Sequence, residues 1–147
     1  MSAIEAGRGW LEQGVDDLSV AVTLKNSHPF AACFYAQQAG EKAVKSLFAF
    51  FDRSIPRSHF LDDLYPQLAE VPAAEGLLPP KEEVRGLDRF YVPTRYPDAW
   101  AGDKPSRHFT MEDADEAVNM AEKLVGPLVV FLARLRERNA LREKSKV

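Results

Sequence analysis

The sequence predicts an all-α fold: a four- to five-helix up-and-down bundle in a single domain covering residues 1–147. Three observations carry this. Apolar residues recur at the helical period of three and four, while strand-like alternation is scarce. Three periodic segments are long enough for several helical turns each, and the breaks between them are rich in proline, glycine and short polar residues. A chain of 147 residues is long enough for one hydrophobic core and short for two.

The first helix is expected from about Ile4 to Lys25, with Ile4, Leu11, Val15, Leu18 and Val22 forming its apolar stripe. Asn26, Ser27 and His28 interrupt it, and Pro29 suits the first position of a second helix running to about Asp52. RSIPRSH is a loop. A third, shorter helix is expected over about Phe60 to Glu70, bent or shortened by Pro66. VPAAEGLLPP is again a loop, and a fourth helix is expected from near Pro80 through KEEVRGLDRF. YVPTRYPDAWAGDKPSRHF, with three prolines and a glycine, reads as a long ordered loop. Thr110 with Asp113 forms a capping box that opens the last helix. Ala114, Val118, Ala121, Val125, Leu128, Leu132 and Leu135 then make a packing seam in steps of four and three, with a kink expected at Pro127. From about residue 137 the helix end or tail is charged. Six basic and two acidic residues lie from Arg134 onward, read as a solvated end that complements the helix dipole, with nucleic-acid contact as the alternative.

The bulk numbers exclude several classes. A composition of 46% hydrophobic and 28% charged residues is that of a soluble globular protein. No apolar run reaches the roughly 18 residues of a membrane span, and the N-terminus lacks a signal-peptide pattern, so no membrane association and a cytoplasmic location are expected. The net charge of −3 argues against whole-surface affinity for nucleic acid but leaves room for a local basic site. The single cysteine, Cys33, rules out an internal disulfide and reads as a small buried apolar group. His28, His59 and His108 show no metal-ligand spacing, so no metal and no cofactor are expected. His28 reads as a surface residue in a turn, His59 as a cap or hydrogen-bonding partner of the third helix, and His108 as a loop residue ordering the start of the last.

The second helix poses the functional question. In FYAQQAGEKAVKSLFAFF, Gln37 and Glu41 fall on the face that carries Phe30, Cys33, Phe34, Val44, Phe48 and Phe51. Gln38, Lys42 and Lys45 lie beside them, toward the polar flank. A carboxylate on an apolar face needs a partner. Gln37 and Glu41 therefore specify packing by bonding other helices, line a pocket or dimer interface, or supply Glu41 as a catalytic carboxylate. Lys42 and Lys45 read as surface residues, or as a row with Gln38 that reaches a phosphate. In the loop, Tyr91, Tyr96 and Trp100 offer stacking faces and Arg95 a fork of donors for a phosphate clamp. Alternatively, Arg95 pairs with Glu41 or another carboxylate and pins the loop to the bundle.

Together, the FYAQQAGEKAVKSLF helix, the His-containing turn RSHFLDDL and the run FYVPTRYPD before a final long helix resemble the HEPN family (higher eukaryotes and prokaryotes nucleotide-binding domain) over nearly the whole chain. The resemblance implies a helical bundle that commonly forms homodimers. It also implies frequent pairing with a minimal nucleotidyltransferase, in many cases as a toxin–antitoxin system. Members with ribonuclease activity carry Arg, four to six residues, then His, late in the bundle and joined with the copy across the dimer. Here Arg95 stands in that region, but Tyr96 to Gly102 contains no His. Arg107 and His108 are adjacent. Arg53 and His59 have the spacing, but lie after the second helix.

The resulting expectation is a dimeric HEPN-like protein, without clear enzymatic activity, that binds a nucleotide or RNA or serves a nucleotidyltransferase partner. Its polar centre would be Gln37, Glu41 and Arg95, flanked by Gln38, Lys42, Lys45, His59 and Tyr96. The enzymatic alternative is a metal-independent ribonuclease toxin using Arg95 with a displaced histidine, His59 or His108. A third reading is a purely structural interaction module.

Overall fold

The computed structural model describes residues 1–146. Three long helices, α1 (Ala3–Leu24), α2 (Pro29–Phe50) and α4 (Met111–Ser145), and one short helix, α3 (Leu61–Leu68), form a single all-α bundle. Five short 3₁₀ segments complete it, the longest being Arg85–Phe90, and no strand occurs among the described residues. None of the described helices is long and apolar enough to cross a membrane.

Helix α1 starts on a capping box in which the Ser2 hydroxyl accepts from Glu5 N and Glu5 Oε2 accepts from Ser2 N. Its buried face differs from the expected stripe. Gly7, Leu11, Gly14, Asp17 and Ala21 are buried, whereas Val15 and Val22 are 38% and 47% exposed. Backbone proximity explains the rotation. A Cβ on Gly7 would stand 2.3 Å from Cδ1 of Phe50, and one on Gly14 would stand 3.2 Å from the Ala39 carbonyl oxygen. Small residues let α1 lie close against α2, and that close approach outweighs the burial of two valines. The same contacts make α1 and α2 antiparallel.

Helix α2 is buried almost all round, from Ala32 to Phe50, and is the central element. Helix α4 runs alongside it in the same direction: Gly40 faces Leu124, and Phe50 meets the Phe131 ring edge-on at 5.4 Å. It is antiparallel to α1, tied by Lys25–Asp115 and Arg136–Glu12. The capping box at Thr110 and Asp113 is present. All of the expected seam is buried except Leu135, which packs partly buried against the core. The helix continues through Pro127, whose missing N–H leaves the Lys123 carbonyl without its usual intrahelical donor.

The expected fourth helix near Pro80 is instead two 3₁₀ segments, Lys81–Glu83 and Arg85–Phe90, parted at Val84 (φ −128°). Gly86 inside it weakens helix formation. The Asp88 carboxylate also points away to cap α3, accepting from Leu61 N at 2.7 Å and Asp62 N at 3.0 Å. Asp88, not His59, is thus the cap of α3, and burial raises its pKa above the ordinary carboxylate value.

The long loop is ordered as expected. Trp100 Nε1 donates to the Pro93 carbonyl, and the Trp100 ring stacks on His108 at 4.0 Å. His108 Nε2 in turn lies 3.0 Å from Asp103 Oδ2. Cys33 is buried in the core, and burial pushes its thiol up to about 12, so it is an inert packing group.

Candidate functional site

The sequence pattern led to the middle of α2, and the structure places a connected polar cluster there. Gln37, Glu41 and Lys45 are all buried, at 2%, 7% and 5% exposure. They occupy successive turns of one helix, so their side chains stack along a single line. Lys45 is therefore not the surface residue that its place near the polar flank suggested. Its ammonium donates to Glu41 Oε2 at 3.0 Å and lies 6.0 Å from the Trp10 ring centroid.

Glu41 is saturated by neighbours. Oε1 accepts from Gln37 Nε2 at 3.1 Å, and Oε2 is shared by Lys45 and His59 Nδ1, the latter at 3.1 Å. A carboxylate can only accept, so Nδ1 carries a hydrogen, and the second nitrogen, Nε2, makes no hydrogen bond among the described residues. The His59 side chain is 47% exposed. Its ring stacks on Tyr91 with centroids 4.7 Å apart, and its carbonyl accepts from Gln37 Nε2 at 3.2 Å.

Arg95 joins the same cluster by a different route from the one expected. It does not pair with Glu41. Nη2 donates to Gln37 Oε1 at 3.2 Å, and Nη1 donates to the Tyr91 carbonyl. The guanidinium lies 4.3 Å from the Phe34 ring centroid and 4.0 Å from that of Tyr91. Partial burial lowers its pKa, opposed by the nearby Tyr91 and Glu41. Gln38 completes the group by donating to Gln37 Oε1 at 2.8 Å.

Tyr91 thus acts as a shared platform for His59 and Arg95. The sequence marked it as one flat face among three; the structure gives it this central position. Tyr96, half exposed beside Arg95, makes no side-chain hydrogen bond among the described residues. Trp100 is spent on ordering its own loop.

Lys42 lies outside this cluster. It forms an ion pair with Asp17 of α1, which also accepts from Gln13 Nε2 at 3.1 Å. Asp17 went unrecognised in the sequence, although its spacing from Gly14 and Ala21 puts it on the buried face of α1. Arg107 and His108 both hold Asp103 and stay apart from Arg95. Arg53 is exposed and makes no side-chain contact with His59 among the described hydrogen bonds and ion pairs. No group of three or more His, Cys, Asp or Glu side chains among the described residues could hold a metal ion.

Known proteins agree with this architecture. The HEPN domain family matches residues 8–131. The crystal structure of TT1696 from Thermus thermophilus superposes with a TM-score of 0.69 at 36% identity, covering 82% of this chain and 94% of that one. The structure of ST0689, described as an archaeal HEPN homologue, gives a TM-score of 0.64 at 30% identity, covering 86% and 97%. A Methanocaldococcus jannaschii protein named "Putative toxin MJ1304" is 29% identical over 136 residues, which is 88% of this chain and 90% of that protein. The family match over most of the sequence, joined to relatives that share the fold along nearly their whole length, means that the chain belongs to the HEPN domain family.

Proposed function

We propose that the Arg95–Tyr91–His59 face over Gln37 and Glu41 binds the phosphate of a nucleotide or RNA strand. The observation that carries this reading is the charge balance of the cluster. Glu41 is already matched by Lys45 and His59, and Arg95 makes no salt bridge with any described carboxylate. A guanidinium held by two neutral acceptors and two ring faces keeps its full positive charge and several N–H donors for an anion. Tyr96 beside it and the exposed edge of His59 suit a stacked base. Arg95→Ala is expected to remove nucleotide-induced thermal stabilisation. A wild-type melting temperature unmoved by a full panel of mono- and dinucleotides and short RNAs would defeat the reading.

The ribonuclease reading has one specific observation in its favour: a histidine whose Nε2 makes no hydrogen bond among the described residues and an arginine meet on one aromatic ring. That is a proton carrier beside a phosphate clamp. Purified protein is expected to show little or no cleavage of structured and unstructured RNA in chelator. Cleavage abolished by both Arg95→Ala and His59→Ala would place the activity above simple binding.

The family context supports a choice of partners. A protein named as a toxin among the relatives supports a toxin–antitoxin pairing, with a minimal nucleotidyltransferase as the partner. Val15 and Val22 on α1 and Val129 and Val130 on α4 are exposed apolar residues on the long helices, and they support a homodimer. Sedimentation as a 16.5 kDa monomer at micromolar concentration would remove the dimer.

A further inference from the structure

The end of α4 beyond Leu135 has no packing role that explains its chemistry. From Arg136 to Lys146 every residue is exposed, yet the helix persists to Ser145. Six basic and two acidic residues from Arg134 onward give this segment a charge of +4, so the remainder of a chain of net −3 carries −7.

Four of the basic residues, Arg134, Arg138, Arg142 and Lys146, are spaced four apart. Each step rises about 6 Å and turns about 40° further round the helix, so the four form one slowly winding ridge. Glu137 and Glu143 lie at its edge, three residues from Arg134 and Lys146 respectively, and leave Arg138 and Arg142 with no acid at that spacing. None of the four takes part in an ion pair among the described residues, whereas Arg136, off the ridge in the same segment, pairs with Glu12.

Helix-dipole complementation accounts for cations in the last turn only. Arg134 and Arg138 lie two to three turns further in. Like charges one turn apart destabilise a helix that has no core to hold it. The ridge therefore lowers the stability of the segment that bears it, and a regularly spaced polyanion would reverse that effect. A protein partner fits less well, because among the outer residues 136–146 only Leu141 is a large apolar group, and protein interfaces need an apolar centre.

We propose that Arg134, Arg138, Arg142 and Lys146 bind the phosphodiester backbone of a nucleic-acid strand, making that strand rather than a free mononucleotide the ligand of this protein. The inference rests on the phosphate-binding reading of Arg95 and extends it. The test uses the full chain, labelled oligouridylate and UMP, across a range of salt concentrations. The variant combines Arg134→Gln, Arg138→Gln, Arg142→Gln and Lys146→Gln, all at exposed positions, with melting as the control for folding.

Four lost phosphate contacts should flatten the slope of log affinity against log salt by about 3, at roughly 0.7 per contact on a single strand. Oligouridylate affinity should fall at least tenfold at physiological salt, with the thermal shift by UMP unchanged. An unaltered slope in the variant overturns the ridge while leaving Arg95 in place, provided that Arg95→Ala still abolishes the UMP shift. Loss of the oligonucleotide alone, with no UMP response in the wild type, upholds the ridge and removes the Arg95 site. Competition by polyglutamate as effective as that by oligouridylate overturns the nucleic-acid assignment in favour of an acidic protein. No oligonucleotide binding by the wild type overturns the ridge outright.

Discussion

Helix α2 carries two ion-pair clusters at adjacent residues, Glu41 and Lys42, and they solve the same problem differently. At Lys42 the account closes: one cation, one carboxylate from α1 and one amide from Gln13. At Glu41 it does not. One carboxylate faces Lys45 and His59, and an additional cation, Arg95, is attached through the neutral Gln37. Both clusters join elements distant in sequence, so both can fix the fold. Only the second leaves charge over. On the reading proposed above, the difference separates a structural lock from a ligand site.

Removing the carboxylate of the second cluster should have the largest effect. Glu41→Ala strands the Lys45 ammonium at 5% exposure. A loss of about 3–5 kcal/mol in unfolding free energy is expected from chemical denaturation. Asp17→Ala performs the same operation on the first cluster, but the Lys42 side chain is 23% exposed and can turn toward water. Its cost should be smaller, about 1–3 kcal/mol. If the two variants lose equal stability, the distinction by burial is wrong. For nucleotide binding the same order should hold more sharply: Asp17→Ala should leave affinity untouched. Arg95→Ala should weaken binding by about 2 kcal/mol, the scale of a lost charge-assisted hydrogen bond, read by calorimetry.

The parts of this architecture that were legible in the sequence are those set by one helix alone. The α4 seam, its capping box and the presence of Gln37 and Glu41 on an apolar face follow from periodicity. What was not legible depends on how elements approach each other. Val15 and Val22 satisfy the helical period as well as any buried residue does. The choice of face was made by Gly7 and Gly14, whose value shows only when Phe50 and Ala39 are placed against them. Lys45 has the chemistry of a surface residue, and only burial of α2 on nearly all sides turns it inward. Arg95 is not the partner of Glu41 because two cations, Lys45 and Arg95, compete for it. Lys45, one turn away on the same helix, needs no loop to reach it, and Arg95 is left to Gln37.

That exchange of partners leads to the smallest expected effect, which is also the most discriminating. If Arg95 were a lock in the sense of Lys42, its removal would strand a carboxylate and cost several kcal/mol. The geometry says otherwise. Gln37 Oε1 still accepts from Gln38 Nε2 at 2.8 Å, Glu41 keeps both Lys45 and His59, and no buried acceptor loses its last donor. What disappears is one shared hydrogen bond to a side chain, one to the Tyr91 carbonyl, and the stacking on Phe34 and Tyr91. Partly exposed cation–π contacts contribute about 0.5–1 kcal/mol each, and the folded state recovers part of the total by no longer desolvating a charge. Arg95→Ala should therefore lower unfolding free energy by about 1 kcal/mol or less, with Lys42→Ala, which strands Asp17, clearly more damaging in the same denaturant series. A large loss at Arg95 would make the second cluster a lock like the first, and its surplus charge would then serve the fold rather than a ligand.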